Sequence, residues 1–245
     1  MLIVGLTGGI ATGKSTVSKL ISERGIPIVD ADILARKVVE PGESAYTQIV
    51  STFSSSTPDL LLGDGTLNRP ALGRRIFNDD AARKTLNGIT HPAVRRAMTL
   101  AALKYWISGY RMIVMDVPLL FEGGLDLFCG KTVVVACSDD LQMKRLLARD
   151  SHLTKEDATS RVRSQMPILA KKDKADIVIE NDGSFEDLKA RLDQVLHEMT
   201  PYMLTGLLEW ICPPIGISMG AWTILLRYFT KQQGRPHSSG KASKL

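Results

Sequence analysis

Leu2-Ile3-Val4-Gly5-Leu6-Thr7-Gly8-Gly9-Ile10-Ala11-Thr12-Gly13-Lys14-Ser15-Thr16 opens the chain as an apolar run passing straight into a glycine-rich loop. From Gly8 to Ser15 the residues fit G-x-x-x-x-G-K-[ST], with a strand-like run before and a helix-compatible run after. Gly8 and Gly13 let the backbone turn tightly and aim successive N–H groups at phosphate oxygens. A helix beginning at Lys14 points its positive dipole end at the same anion. Lys14 adds a mobile positive charge for the β/γ-phosphates, and the Ser15 hydroxyl is a candidate Mg²⁺ ligand. The candidate nucleotide contacts are therefore Gly8, Gly9, Ile10, Ala11, Thr12, Gly13, Lys14, Ser15 and Thr16. The loop implies a bound nucleoside triphosphate and is silent on what is done with it.

Beyond the loop, apolar runs bounded by turn residues alternate with helix-period segments, the pattern of a parallel sheet with crossover helices. The spacing predicts strands at Leu2–Leu6, Pro27–Asp30, Met112–Asp116, Thr132–Cys137 and Asp176–Glu180. It predicts helices at Lys14–Arg24, Ala31–Val39, Asp139–Arg149, Lys155–Gln165 and Phe185–Met199. The fold class that follows is α/β: a three-layer P-loop domain with a five-stranded parallel sheet. Roughly residues 40–109 show no strong strand, read as mostly helical around a Ser-rich loop at Ser54–Pro58, and have the place of an acceptor-binding insertion.

Acidic residues at strand ends suggest chemistry. Val29-Asp30-Ala31-Asp32 closes the second strand, on the edge where open α/β sheets bind ligands. One carboxylate there can orient or deprotonate an acceptor hydroxyl and the other can work through Mg²⁺, although Asp at such a place also caps helices. Asp116 ends the third strand, a position from which an Asp supports Mg²⁺ in many P-loop enzymes. A basic helix-period stretch follows, with Lys144, Arg145, Arg149, Lys155, Arg161, Arg163, Lys171 and Lys172. Most of these charges are expected to solvate helix faces. Arg145 and Arg149, four apart, are the pair expected to act together on a transferring phosphate. His91, before Pro92, is a candidate acceptor contact.

Composition removes several function classes. The net charge is +5, but Arg227 to Leu245 carries five basic residues and no acid, so the remainder is neutral and presents no nucleic-acid-binding balance. Cys129, Cys137 and Cys212 are scattered without metal-ligand spacing and read as small apolar fillers of a reducing compartment. No Asn-Lys-x-Asp element for reading guanine occurs. The opening strand also lacks the basic start and cleavage site expected of a signal peptide.

Taken together, Leu6-Thr7-Gly8-Gly9-Ile10 with Gly13-Lys14-Ser15-Thr16, Asp30-Ala31-Asp32 with Ala35-Arg36, and Val39-Glu40-Pro41-Gly42 resemble the dephospho-CoA kinase family. So do Asp64-Gly65-Thr66-Leu67 with Arg69, His91-Pro92, Val117-Pro118-Leu119-Leu120-Phe121-Glu122, and the Arg145, Arg149 and Gln165 series. The resemblance covers roughly residues 1–200. It implies transfer of the ATP γ-phosphate to the ribose 3′-hydroxyl of dephospho-CoA, the last step of coenzyme A synthesis. By the family's pattern Asp32 is the general base, Lys14 and Arg145 stabilise the transferring phosphoryl group, and Arg149 lies on the nucleotide phosphates. Asp32, Arg36, Thr66, Arg69, His91 and Leu119 face the acceptor, the helices after Val39 hold it, and about 150–172 forms a lid. The residues themselves leave two other readings open: a P-loop kinase acting on another nucleotide or small alcohol, and a membrane-tethered nucleotide-dependent switch.

The chain departs from bacterial members of that family after position 200. Seventeen residues from Trp210 to Leu226 carry no charge, and a basic tail follows. A helix begun at Pro213 reaches Thr230 over roughly 27 Å at 1.5 Å per residue, slightly short of a bilayer core of about 30 Å. Residues 203–229 are therefore expected either to associate with a membrane or to dock on protein, including an assembly of coenzyme A pathway enzymes. The membrane alternative puts the domain on the cytoplasmic face, with the outer mitochondrial membrane or a lipid droplet as candidates.

Overall fold

A computed structural model describes residues 1–77, 79–200 and, in the tail, 218, 220–222 and 225–229. Five parallel strands form the centre: β1 (Leu2–Gly8), β2 (Ile28–Asp30), β3 (Met112–Asp116), β4 (Lys131–Ala136) and β5 (Ile177–Glu180), in the order β2-β3-β1-β4-β5. Their residues read as near-continuous apolar runs because both faces are covered, and all five residues of β3 are buried, Asp116 included.

The alternation of side chains along the strands divides the core in two. Val4, Leu6, Met112, Val114, Val133, Val135 and Ile179 face helices α1 (Lys14–Glu23) and α9 (Phe185–Met199). Ile3, Ile113 and Met115 turn to the opposite face, against the turn Leu125–Phe128 and the long helix α5 (Asp80–Ile107). On that same face Val134 and Ala136 meet Met166 and Ile168. The result is the expected three layers.

The insertion is helical, as its lack of strand signals predicted. After α2 (Ala31–Lys37), it contains α3 (Ser44–Phe53), α4 (Arg69–Phe77) and α5, which packs on all three. These helices bury Val38, Val39, Ala45, Ile49, Phe53, Leu60, Leu67 and Leu72 in a core of their own. A small antiparallel bridge, Leu61 to Leu67, closes the connection between α3 and α4. Helix α6 (Asp139–Arg149) matches its predicted bounds, and α7 (Lys155–Arg163) begins with a reciprocal cap between Thr154 and Asp157. Helix α8 (Ile168–Lys174), short and rich in lysine, is an element that the hydrophobic pattern did not reveal. Most of the 203–229 segment lies outside the described residues. Among those that are described, no helix is long and apolar enough to cross a membrane.

Candidate active site

Strand register brings the first site residues together. Leu6 of β1 pairs with Asp116 of β3, which pairs with Asp30 of β2, so three strand ends lie abreast where the loop Gly8–Thr16 begins. Beyond them the chain turns into α1 through Gly13, whose φ of 98° lies in the left-handed region. A Cβ on Gly13 would run into the Asn181 side-chain amide, and one on Gly8 would stand 2.6 Å from the Val135 carbonyl oxygen. Both glycines are thus required by close approach, beyond any demand made by phosphate.

Lys14 Nζ donates to Asp116 Oδ1, an ion pair between a side chain 19% exposed and one 5% exposed. The loop's cation is therefore held at the end of β3, beside the ribbon of loop N–H groups. Mg²⁺ would be held by Ser15, exposed in the first turn of α1, and by Asp116, whose second carboxylate oxygen is left over from the lysine. This donor set of hydroxyl and carboxylate oxygens suits a hard cation that completes its shell with phosphate and water. No cluster of three or more His, Cys, Asp or Glu side chains able to hold a metal is found among the described residues.

The two acids closing β2 divide their work. Asp30 is the N-cap of α2, accepting from the N–H groups of Asp32 and Ile33 at 2.8 and 3.0 Å. The capping alternative holds for Asp30 alone. Asp32 sits exposed in the first turn, and its carboxylate makes no hydrogen bond or ion pair among the described residues. Arg36 lies one turn further along α2, and its carbonyl accepts from Arg69 Nη2 at 3.2 Å. Thr66 closes a turn in which its N–H and hydroxyl both donate to Asp64. Those bonds hold the Asp64 carboxyl below its ordinary value. Leu119 is exposed in the loop after β3, and His91 is exposed on α5, the helix packed against α2.

On the other side of the loop the two arginines separate. Arg145 Nη1 donates to the Asn181 carbonyl at 3.0 Å, whereas Arg149 pairs with Asp150 at 3.0 Å and is more than half exposed. Arg161 of α7 shares that carboxylate, and the Arg149 hydrogen bond is the chief reason why the Asp150 carboxyl is depressed. Arg145 and Arg149, the two arginines expected to act together on a transferring phosphate, rest on separate protein groups. Different partners hold them, although both belong to α6.

Several contacts that frame the loop are set only by the tertiary structure. Gln142 Nε2 donates to the Ile10 carbonyl at 2.8 Å, while the Ile10 N–H donates to Gln165 Oε1 at 3.1 Å, so two amides grip one loop residue. Asn181 Nδ2 donates to the Thr12 carbonyl at 2.8 Å. Asn181 directly follows β5, and its place at a strand end was the available signal. Lys171, expected to solvate a helix face, is instead fully buried, 3.0 Å from Glu122 Oε1. Helix period alone marks every lysine as solvated, and only the tertiary contacts reveal this exception.

Comparison with known proteins decides the family. The model of the dephospho-CoA kinase family, CoaE, matches residues 2–187. The chain belongs to the dephospho-CoA kinase family. It is 46% identical over 240 residues to the Saccharomyces cerevisiae "Dephospho-CoA kinase CAB5", covering 98% of this chain and 99% of that protein. An Arabidopsis thaliana protein of the same description is 45% identical over 199 residues, covering 81% and 84%. Among solved structures, the dephospho-CoA kinase from Campylobacter jejuni superposes with a TM-score of 0.62 at 31% identity, covering 81% of this chain and 96% of that one. TT1252 from Thermus thermophilus gives 0.68 at 34%, covering 82% and 98%. As a dephospho-CoA kinase family member, the chain is a nucleotide-binding phosphotransferase with ATP as phosphoryl donor.

Proposed function

We propose that this chain transfers the γ-phosphate of ATP to the ribose 3′-hydroxyl of dephospho-CoA, giving coenzyme A and ADP, with Asp32 as the general base. The observation carrying this reading is the division of labour in Asp30-Ala31-Asp32. Asp30 caps the helix, which leaves the Asp32 carboxylate exposed at the sheet edge, across β3 from Lys14. In the transfer, the hydroxyl oxygen bonds to the γ-phosphorus, the bond from that phosphorus to the β,γ-bridging oxygen breaks, and Asp32 takes the hydroxyl proton.

The N–H groups of Gly9, Ala11, Gly13, Lys14 and Ser15 and the N-terminus of α1 would cradle the phosphates, with Lys14 supplying positive charge where charge develops. Arg145 and Arg149 would complete the clamp from α6, Arg149 after leaving Asp150. Arg36, Thr66, Arg69, His91 and Leu119 would contact the acceptor from the helical insertion, roughly 40–109, and the loop after β3. Roughly 150–172 would close as a lid, within a kinase domain spanning 1–200. Mg²⁺ held by Ser15 and Asp116 would neutralise phosphate charge and orient the β- and γ-oxygens.

An ADP-release assay with dephospho-CoA, adenosine monophosphate, pantothenate or water as acceptor tests the reading. Turnover is expected with dephospho-CoA alone, and equal release in water would overturn it. The uncharged stretch Trp210–Leu226 supports contact of segment 203–229 with a membrane or with a pathway enzyme. A fluorescent fusion of the full chain is expected to localise to the cytoplasmic face of a membrane, and a diffuse signal refutes the membrane form of this reading.

A further inference from the structure

A lysine ammonium removed from water needs an acceptor for each of its three protons, or it costs several kcal/mol. Lys171 of α8, with 0% of its side chain exposed, has three such acceptors. It donates to the Gly8 carbonyl at 3.3 Å and the Pro118 carbonyl at 3.0 Å, and it pairs with Glu122 Oε1 at 3.0 Å. The acceptors belong to a wider network. Pro118 O also accepts from the Thr7 hydroxyl at 2.8 Å, and Glu122 Oε1 from the Met166 N–H at 3.0 Å. Burial alone would raise the Glu122 carboxyl, but its own backbone N–H, that of Met166 and the Lys171 ammonium outweigh it and hold the group below its ordinary value.

The ladder between β1 and β3 ends at the pair Leu6 and Asp116. Past that point the two chains diverge into different tasks, one becoming the phosphate loop at Gly8 and the other passing Pro118 to the exposed Leu119. Lys171 joins them beyond the last ladder pair, and it does so from the root of the segment that follows α7. An apolar side chain of similar volume would fill this space without desolvating a charge and is often as stable or more so. A lysine differs in having directed donors for two carbonyls at once.

We infer that Lys171 is a positioning residue for phosphoryl transfer, fixing the donor loop at Gly8 against the acceptor-side loop at Pro118, with Glu122 as its buried counter-charge. The inference rests on the kinase reading above. A misplacement of about 1 Å between reacting groups can cost on the order of 10²-fold in rate.

The test uses the full chain, comparing Lys171→Met with the double variant Lys171→Met/Glu122→Gln, which buries no unpaired charge. Turnover, KM for ATP and for dephospho-CoA, and the thermal midpoint are measured for each. Lys171→Met is expected to lower both kcat and the thermal midpoint. The double variant is expected to recover most of the midpoint while kcat stays down about 10²-fold and KM for ATP stays within about threefold of the parent, because the loop's own N–H groups are intact. A double variant that regains kcat together with its midpoint overturns the inference and leaves Lys171 a stability element, and so does a Lys171→Met protein that keeps the parent's kcat. Where the single variant folds poorly, the double variant decides. Failure of the parent on dephospho-CoA would strike the kinase reading instead. The variant-to-parent ratio on whichever acceptor the parent uses still tests Lys171.

Discussion

Asp32 and Gly13 illustrate two ways in which one residue can matter. Asp32 costs the fold nothing, being exposed at the start of α2 with its capping duty carried by Asp30. Asp32→Asn is therefore expected to lower kcat by about 10²–10⁴-fold while leaving ATP affinity, read by calorimetry, near the parent's. Full activity in that variant would refute its role as base. Gly13 is bound by geometry. Its positive φ and the Asn181 amide beside it leave no room for a Cβ. Gly13→Ala is expected to cost about 1–3 kcal/mol of stability by chemical denaturation and to abolish detectable nucleotide binding, since the loop and α1 start at this residue. Both residues are legible in the strand-loop-helix pattern. It could not separate the jobs of Asp30 and Asp32, because that depends on which carboxylate reaches the backbone N–H groups.

At the scale of elements, α6 and the segment after it hold the phosphate loop from outside. The Ile10 N–H, which a bare motif assigns to phosphate, donates to Gln165 at the end of α7, and Gln142 of α6 holds the same residue's carbonyl. Gln142→Leu removes the donor from a buried site and leaves the Ile10 carbonyl without it, a loss of about 1–3 kcal/mol. KM for ATP is expected to rise about tenfold, the factor that roughly 1.4 kcal/mol represents. Steady-state titration of ATP at saturating acceptor would show it, and an unchanged KM would remove Gln142 from the site. Helix α6 was legible in advance because Leu141 to Arg149 carries a clear helical period. Helix α8 was not, because seven residues with three lysines present no apolar stripe.

Across the whole molecule, the far edge of the sheet holds Arg227 against the domain. Arg227 Nη2 lies 2.5 Å from Asp176 Oδ2 and 3.0 Å from the Gly130 carbonyl, and Asp176 also accepts from the N–H and hydroxyl of Thr132. The contact sits at the start of β4 and β5, the sheet edge opposite the phosphate loop. Arg227 therefore rests on the domain at the end of the sheet away from the phosphate loop. Burial raises the Asp176 carboxyl, but Arg227 and Thr132 more than offset it, and the net shift is downward. Glu122 is depressed likewise. A carboxyl depressed by folding stabilises the protein at pH values above its ordinary pKa, and that contribution is lost as pH falls through the lower folded value. The ordinary values are 3.8 for Asp and 4.5 for Glu. Stability measured by thermal melting is thus expected to fall with acidification below about pH 4.5, and Asp176→Asn should flatten part of that fall. An identical acid profile in the variant would mean that Asp176 contributes nothing to it.

The order of strands and helices, the phosphate loop and the acids at the strand ends followed from the chain alone, because local periodicity and glycine, proline and Asp placement are local properties. The helical nature of the insertion was legible for the same reason, though its three helices were not separately resolved. Contacts between residues far apart in sequence were decided only in three dimensions. Asn181 reaches Thr12, Gln165 reaches Ile10, and Lys171 reaches Gly8, over separations of 169, 155 and 163 residues. No local pattern encodes which buried acceptor a lysine or an amide will find. That choice belongs to the packing of a parallel sheet, whose crossovers bring the ends of distant strands to one edge.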